Sequence, residues 1–207
     1  PFYILKSVIE NQYNQPLDEL IQQHFYNPLG ANMSTYNPLD KFQKKYIIPT
    51  EIDNYYRNDK VQGYVHDMGA AMQGGIGGHA GLFSNSNDVA KMMQLFLQQG
   101  NYGDKRYFSS KTFNRFNFCH YCKQNNRRGI GFDKPQLGNK GPTCGCLSME
   151  SFGHSGFTGT YAWADPDKEI VYVFLANRTF PKSDSNRLLK ENIRTEIQRL
   201  IYKSIIE

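Results

Sequence analysis

Residues 152–160 read Phe152-Gly153-His154-Ser155-Gly156-Phe157-Thr158-Gly159-Thr160. The spacing Gly153-x-Ser155-x invites comparison with a G-x-S-x-G nucleophile elbow. That turn is so tight that a small residue must stand two places after the serine. Phe157 stands there, so Ser155 is a poor elbow nucleophile. The next stretch is β in character. Residues 161–164 predict a strand, and Asp165-Pro166-Asp167-Lys168 a turn with Pro at its second position. Residues 170–176 are an unbroken apolar run, which predicts a strand covered on both faces. Asp184-Ser185-Asn186 then caps a last helix, striped by Leu189, Ile193, Ile197, Leu200, Ile201 and Ile205. Residues 151–207 therefore predict sheet strands and a C-terminal helix.

Upstream, residues 1–150 read as a helical and loop-rich portion. Phe2, Leu5, Val8 and Ile9 form a helical stripe. Pro16 sits in the first turn of a second helix over about 16–26, carried by Leu17, Leu20, Ile21 and Phe25. Asn27-Pro28-Leu29-Gly30 is expected to end it, with Pro blocking continuation. Residues 31–65 lack periodicity and predict a long surface excursion. Six glycines fall between Gly69 and Gly81, a density that permits positive φ and close backbone approach. Asn85-Ser86-Asn87-Asp88 offers N-cap chemistry for a helix faced by Val89, Met92, Met93, Phe96 and Leu97 and closed by Gly100. Residues 101–150 predict loops and short strands.

The composition excludes several classes. The chain has 207 residues, 39% of them hydrophobic and 14% aromatic, so it can bury a core and is not disordered. No apolar run approaches the roughly 18–20 residues of a membrane span. The net charge of +5 is interspersed, and Lys44-Lys45 and Arg127-Arg128 do not make a stripe that would track a phosphate backbone; nucleic acid is not an expected partner. Pro1-Phe2-Tyr3-Ile4-Leu5 has no initiator Met and no signal-peptide pattern, and reads as the middle of a longer chain.

Three further patterns need weighing. Gly75-Ile76-Gly77-Gly78-His79-Ala80 matches G-x-G-x-x-A, but neither a strand before it nor a helix opening within it is predicted, so a dinucleotide site is rejected. Cys119-His120-Tyr121-Cys122 and Cys144-Gly145-Cys146 leave three readings open: a four-thiolate zinc site, disulfides, or free thiols. His66 and His79 are expected to be hydrogen-bonded structural residues; His154 differs because of its neighbours.

Three segments together resemble the serine β-lactamase/penicillin-binding-protein-like superfamily, and more narrowly its class C and esterase-like branch. They are Gln15-Pro16-Leu17-Asp18-Glu19 through Asn27-Pro28-Leu29-Gly30; Gly63-Tyr64-Val65-His66-Asp67 through Gly78-His79-Ala80-Gly81-Leu82-Phe83-Ser84; and residues 152–160 with the strands and helix after them. The resemblance implies an α+β, β-lactamase/transpeptidase-like fold, incomplete here, with residues 1–207 forming the C-terminal portion of one domain. It implies that His154-Ser155-Gly156 is the third motif of the site, that Phe157 supplies an oxyanion-hole N–H, that Thr158 adjoins the substrate, and that no cofactor is needed. The acylated serine and its lysine should come from a Ser-x-x-Lys, but no serine here has Lys three places later. No Tyr-x-Asn precedes the first helix either, although Pro1–Lys6 resembles the residues immediately after that motif. The implied partner is the missing N-terminal half of the same domain, with exposed apolar surface where it would pack. A narrower resemblance, through Arg127-Arg128-Gly129-Ile130-Gly131-Phe132-Asp133-Lys134-Pro135, Gly141-Pro142-Thr143-Cys144 and Ser151-Phe152-Gly153-His154, is to Bacteroidetes proteins in which a family 3 β-N-acetylhexosaminidase precedes such a domain. It implies the periplasm or cell envelope, and peptidoglycan or amino-sugar turnover. The rival reading is a non-catalytic module that binds peptidoglycan fragments.

Overall fold

The apolar stripe at the start of the chain lies on helix α1 (Phe2–Tyr13), yet none of the helix's residues is buried. The computed structural model to which α1 belongs describes residues 1–136, 141–184 and 186–205. Two compact units are present, Pro1–Asp88 with Asn177–Ser185, and Val89–Ala176 with Asn186–Glu207.

In the first unit, α1 ends at Asn14 in the left-handed conformation, and α2 (Leu17–Ile21) buries Leu17 and Leu20. The chain does not stop at Pro28. It runs on through a π-helical turn (Gln22–Tyr26) into α3 (Asn27–Leu29), so Pro28 stands inside the helical run, and left-handed Gly30 makes the stop. The expected excursion over 31–65 contains a hairpin of β1 (Pro49–Asp53) and β2 (Asp59–Gln62), paired antiparallel with Ile52 opposite Lys60. Its turn is organised by Asp53, buried, which accepts from the backbone N–H groups of Tyr55, Tyr56 and Arg57 and from Arg57 Nε at 2.8 Å. Those donors hold its carboxyl far below the usual carboxylate range. Thr179, fully buried, donates to the carbonyl of Thr50 at 2.7 Å and fastens residues 177–181 to β1. A short helix α4 (Met68–Ala71) is capped by Asp67.

Helix α5 (Ser86–Leu97) starts where expected; Asn85 Oδ1 accepts the N–H of Asp88 at 2.8 Å, and Gln99 and Gly100 at positive φ close it. The second unit then has a two-residue hairpin, β3 (Asn101–Tyr102) with β4 (Lys105–Arg106). Next comes α6 (Ser110–Asn117), a helix where loops and short strands were expected; Ser109 caps it and Phe113 is its one buried residue. Part of the Gly/Asn-rich stretch at 138–142 and the Ser185 position of the predicted cap lie outside the described residues. Asn186 itself makes no side-chain cap bond. The expected long terminal helix is two, α7 (Arg187–Lys190) and α8 (Ile193–Lys203), because Asn192 between them is left-handed.

The sheet is antiparallel in the order β5 (Phe152–Ser155), β6 (Tyr161–Asp165), β7 (Ile170–Phe174). Its two faces feed different clusters. Phe152 and Ala164 pack with Met93 and Phe113; Tyr161, Trp163 and Tyr172 form the other, against Leu147 and Ile201. The expectation that the apolar run over 170–176 is covered on both faces fails: Tyr172 alone is buried in β7, which pairs on one side only, with β6, in the order of the three. The C-terminal stripe is corrected likewise. Ile197 and Leu200 are exposed, and the buried residue of α8 is Gln198.

Candidate active site

Strand β5 delivers His154 and Ser155 to the end of the sheet because its first half is locked in place. Phe152 is fully buried, with the rings of Phe113 and Phe132 5.2 and 5.1 Å away. Strand β5 has a neighbour along both edges at Gly153. Gly153 faces Trp163 in β6, and on its other side it exchanges N–H and carbonyl bonds with Asp133 at 3.1 and 2.8 Å. A Cβ on Gly153 would stand 2.3 Å from the carbonyl oxygen of Ala162 and 2.4 Å from Trp163 Cγ, so only glycine fits.

Strand alternation then orients the site. Gly153 N–H points away from β6, and Gly156 N–H returns to the Thr160 carbonyl at 2.8 Å. The N–H of Ser155, between them in the alternation, lies on the edge away from β6. His154 is exposed and Ser155 half-buried. His154 Nδ1 lies 2.8 Å from the Ser155 carbonyl oxygen. A carbonyl only accepts, so Nδ1 carries the proton in this contact and a neutral ring has its acceptor at Nε2.

The turn over 156–160 is clamped from below. Gly159, at φ +107°, donates to the Gly156 carbonyl at 3.0 Å. A Cβ on Gly156 would meet Thr160 Oγ1 at 2.2 Å. Arg194 of α8 donates to the carbonyls of Gly159 and Thr160 at 3.3 and 3.2 Å, and its guanidinium lies over the Tyr161 ring. Phe157 presents an exposed ring at the tip. Below, Tyr161 donates to Gln198 Oε1 at 3.0 Å, and burial pushes its pKa far up. Asp165 accepts from Ser148 Oγ and Tyr202 at 2.6 Å each. Burial works to raise its pKa, but these hydrogen bonds hold it below the ordinary value. Arg194, Gln198 and Asp165 were not singled out from sequence. Their signal was weak: polar residues on or facing the stripe of the final helix.

A second cluster lies in the first unit. His79 Nε2 is 2.9 Å from Asp67 Oδ1 and 3.2 Å from Tyr3 Oη, and Asp67 also caps α4 through the Ala70 N–H. The glycine-rich loop closes on α1: a Cβ on Gly78 would stand 2.4 Å from the Phe2 carbonyl oxygen, and on Gly81 2.0 Å from that of Gly75. His66 pairs with Glu51 at 3.3 Å, itself held by Arg57 at 2.7 Å. Both histidines are therefore partnered within the fold, as expected of them.

The four-thiolate zinc alternative is corrected. Cys119 is bonded to Cys122 and Cys144 to Cys146, which uses up all four thiols within their own pairs.

The family described as Beta-lactamase matches residues 2–193, and the chain belongs to it. Curated relatives include a protein named "Putative D-alanyl-D-alanine carboxypeptidase" from Escherichia coli O157:H7, 35% identical over 190 residues, covering 86% of this chain and 43% of that protein. Among solved structures, simvastatin synthase LovD from Aspergillus terreus superposes with a TM-score of 0.68 at 14% identity, covering 99% of this chain and 54% of that one. A β-lactamase from Mycobacterium bovis gives 0.63 at 15% identity, over 98% and 61%. The fold is thus β-lactamase/transpeptidase-like, and the family is one of serine hydrolases that includes the carboxypeptidase-named relatives. The chain spans less than half the length of the curated relatives it matches.

Proposed function

We propose that this chain is the site-forming C-terminal portion of a serine hydrolase that works through an acyl-enzyme, with the serine nucleophile and its lysine supplied by the N-terminal part of the same domain. The observation that carries the reading is the doubly bonded strand β5, which ends in His154-Ser155-Gly156 and a clamped turn. In it, Phe157 supplies a backbone N–H to the developing oxyanion, His154 and Ser155 orient the substrate and pass a proton, and Thr158 adjoins the acyl group. Gly156 keeps the strand end free of a side chain. The substrate is a β-lactam, a D-amino-acid peptide or an ester, and the carboxypeptidase-named relatives favour the D-amino-acid peptide. The setting is the cell envelope, beside a β-N-acetylhexosaminidase domain in peptidoglycan or amino-sugar turnover.

The same proposal accounts for α1. Phe2, Ile4, Leu5 and Val8 are exposed, and the remaining part of the domain is the partner that would cover them. The Tyr3–His79–Asp67 cluster fixes the start of α1, so that a Tyr-x-Asn just before it would be held in place.

The test is labelling with a fluorophosphonate serine probe, read by mass spectrometry, on residues 1–207 and on a polypeptide extended upstream to the relatives' length. Labelling of an upstream serine in the long form alone supports the reading. Labelling of Ser155 in the short form overturns it. Silence in a folded long form favours the peptidoglycan-fragment-binding module.

A further inference from the structure

The hydrolase site leaves the cysteines unused, and the two pairs differ. Cys144 and Cys146 are bonded across one residue, Gly145, at φ +71°. Cys144 is half-buried and Cys146 exposed. The Cys144 N–H donates to Gln198 Oε1 at 3.0 Å, the atom that also accepts from Tyr161, and Gln198 is fully buried. One end of the bridge is therefore tied to the packed core while the other faces solvent. Neither Cys119 nor Cys122 is exposed.

The stabilisation a disulfide gives grows with the loop it closes, and a bridge across one residue closes nearly the smallest loop there is. The Cys144–Cys146 bond is thus a weak global staple. An exposed disulfide is also one that exchanges. We propose that Cys144–Cys146 is a thiol–disulfide exchange site for small thiols of the glutathione class, with Cys146 Sγ the sulfur attacked.

The incoming thiolate attacks Cys146 Sγ, the Cys144–Cys146 bond breaks, and its electron pair leaves on Cys144 as thiolate. The product is a mixed disulfide at Cys146. Cys144 can reverse the step by attacking Cys146 and expelling the small thiolate. Alternatively, a second small thiolate attacks the small-thiol sulfur of the mixed disulfide. That step gives the small-molecule disulfide and a Cys146 thiolate, so two thiols are oxidised while the protein disulfide is reduced. The anchored backbone keeps Cys144 beside Cys146 throughout.

The experiment adds reduced glutathione in steps to the intact protein, traps thiols with iodoacetamide, and locates the alkylated cysteines by mass spectrometry. Cys144 and Cys146 should be alkylated at lower glutathione than Cys119 and Cys122. A trapping arm uses Cys144→Ser, which retains the backbone N–H to Gln198 but removes the resolving sulfur, and Cys146→Ser as its counterpart. With oxidised glutathione, the Cys146 thiolate of C144S attacks the reagent and releases one glutathione thiolate. Its adduct should form about tenfold faster than the adduct at Cys144 in C146S. The proposal is overturned if both pairs open only in denaturant, if Cys119–Cys122 opens first, if the two adducts form at equal rates, or if all four thiols alkylate before reductant is added. Should a variant fail to fold, the order of reduction in the unsubstituted protein decides alone.

Discussion

Strand β5 and helix α1 both carry a phenylalanine near their start, and they use it in opposite ways. Phe152 is fully buried among the rings of Phe113 and Phe132, whereas Phe2 is 46% exposed on a helix that buries nothing. The difference shows what a local pattern can and cannot do. An apolar stripe makes a helix amphipathic, but stability comes from the surface that covers the stripe.

The comparison can be broken most sharply at β5. Gly153→Ala should cost about 3 kcal/mol or more, because the new methyl meets backbone that cannot move aside without opening the sheet. Phe152→Ala should cost about 3–5 kcal/mol by leaving a cavity between two phenyl rings. Both are read by urea unfolding followed at Trp163, and losses below about 1 kcal/mol would mean that β5 is not the anchored element.

Next in size is a pH effect near the same strand. Lys134 is buried, donates to the Glu150 carbonyl at 2.9 Å and lies over the Phe152 ring. Burial pulls its pKa down to about 8; the Glu150 charge opposes that shift and Arg127 adds to it. Below pH 8 the lysine is protonated both folded and unfolded. Above it the folded chain gives up a proton that the unfolded chain keeps, so stability should rise from pH 8 towards pH 10, by up to about 3 kcal/mol. Above pH 10 the raised tyrosines, Tyr26, Tyr161 and Tyr202, act in the opposite sense. Lys134→Met should flatten the rise; an unchanged slope would assign it to another group.

A smaller loss, about 1 kcal/mol, is expected for Tyr202→Phe, which takes one donor from Asp165. Smallest of all, Leu5→Ala and Val8→Ala on α1 should change stability by less than about 0.5 kcal/mol in this chain. In the polypeptide extended to the relatives' length the same changes should cost about 2 kcal/mol, if the remaining part of the domain covers them. Equal small values in both would remove α1 from that interface.

The strands β6 and β7 and the start of α5 were legible because an apolar run, a proline turn and Asn85 each point one way. The β1–β2 hairpin was not. Its strands read Pro-Thr-Glu-Ile-Asp and Asp-Lys-Val-Gln, and what holds them is the Asp53–Arg57–Glu51 network, which has no sequence period. Helix α6 hid for a related reason: Phe113 alone is buried, so no stripe announces it, although Ser109 was a fair cap signal. The motif His154-Ser155-Gly156 could be found by resemblance, but Arg194, which grips the turn beyond it, could not, since nothing local marks a cation that bonds carbonyls 34 and 35 residues earlier.

That grip also sets an order of events during synthesis. The 156–160 turn leaves the ribosome well before the arginine that secures its carbonyls, and at about 5–20 residues per second the interval is roughly 2–7 seconds. For that time the nascent hairpin has its own ladder and the Asp133 bonds to Gly153 but not the arginine, and the turn is secured only once Arg194 has emerged.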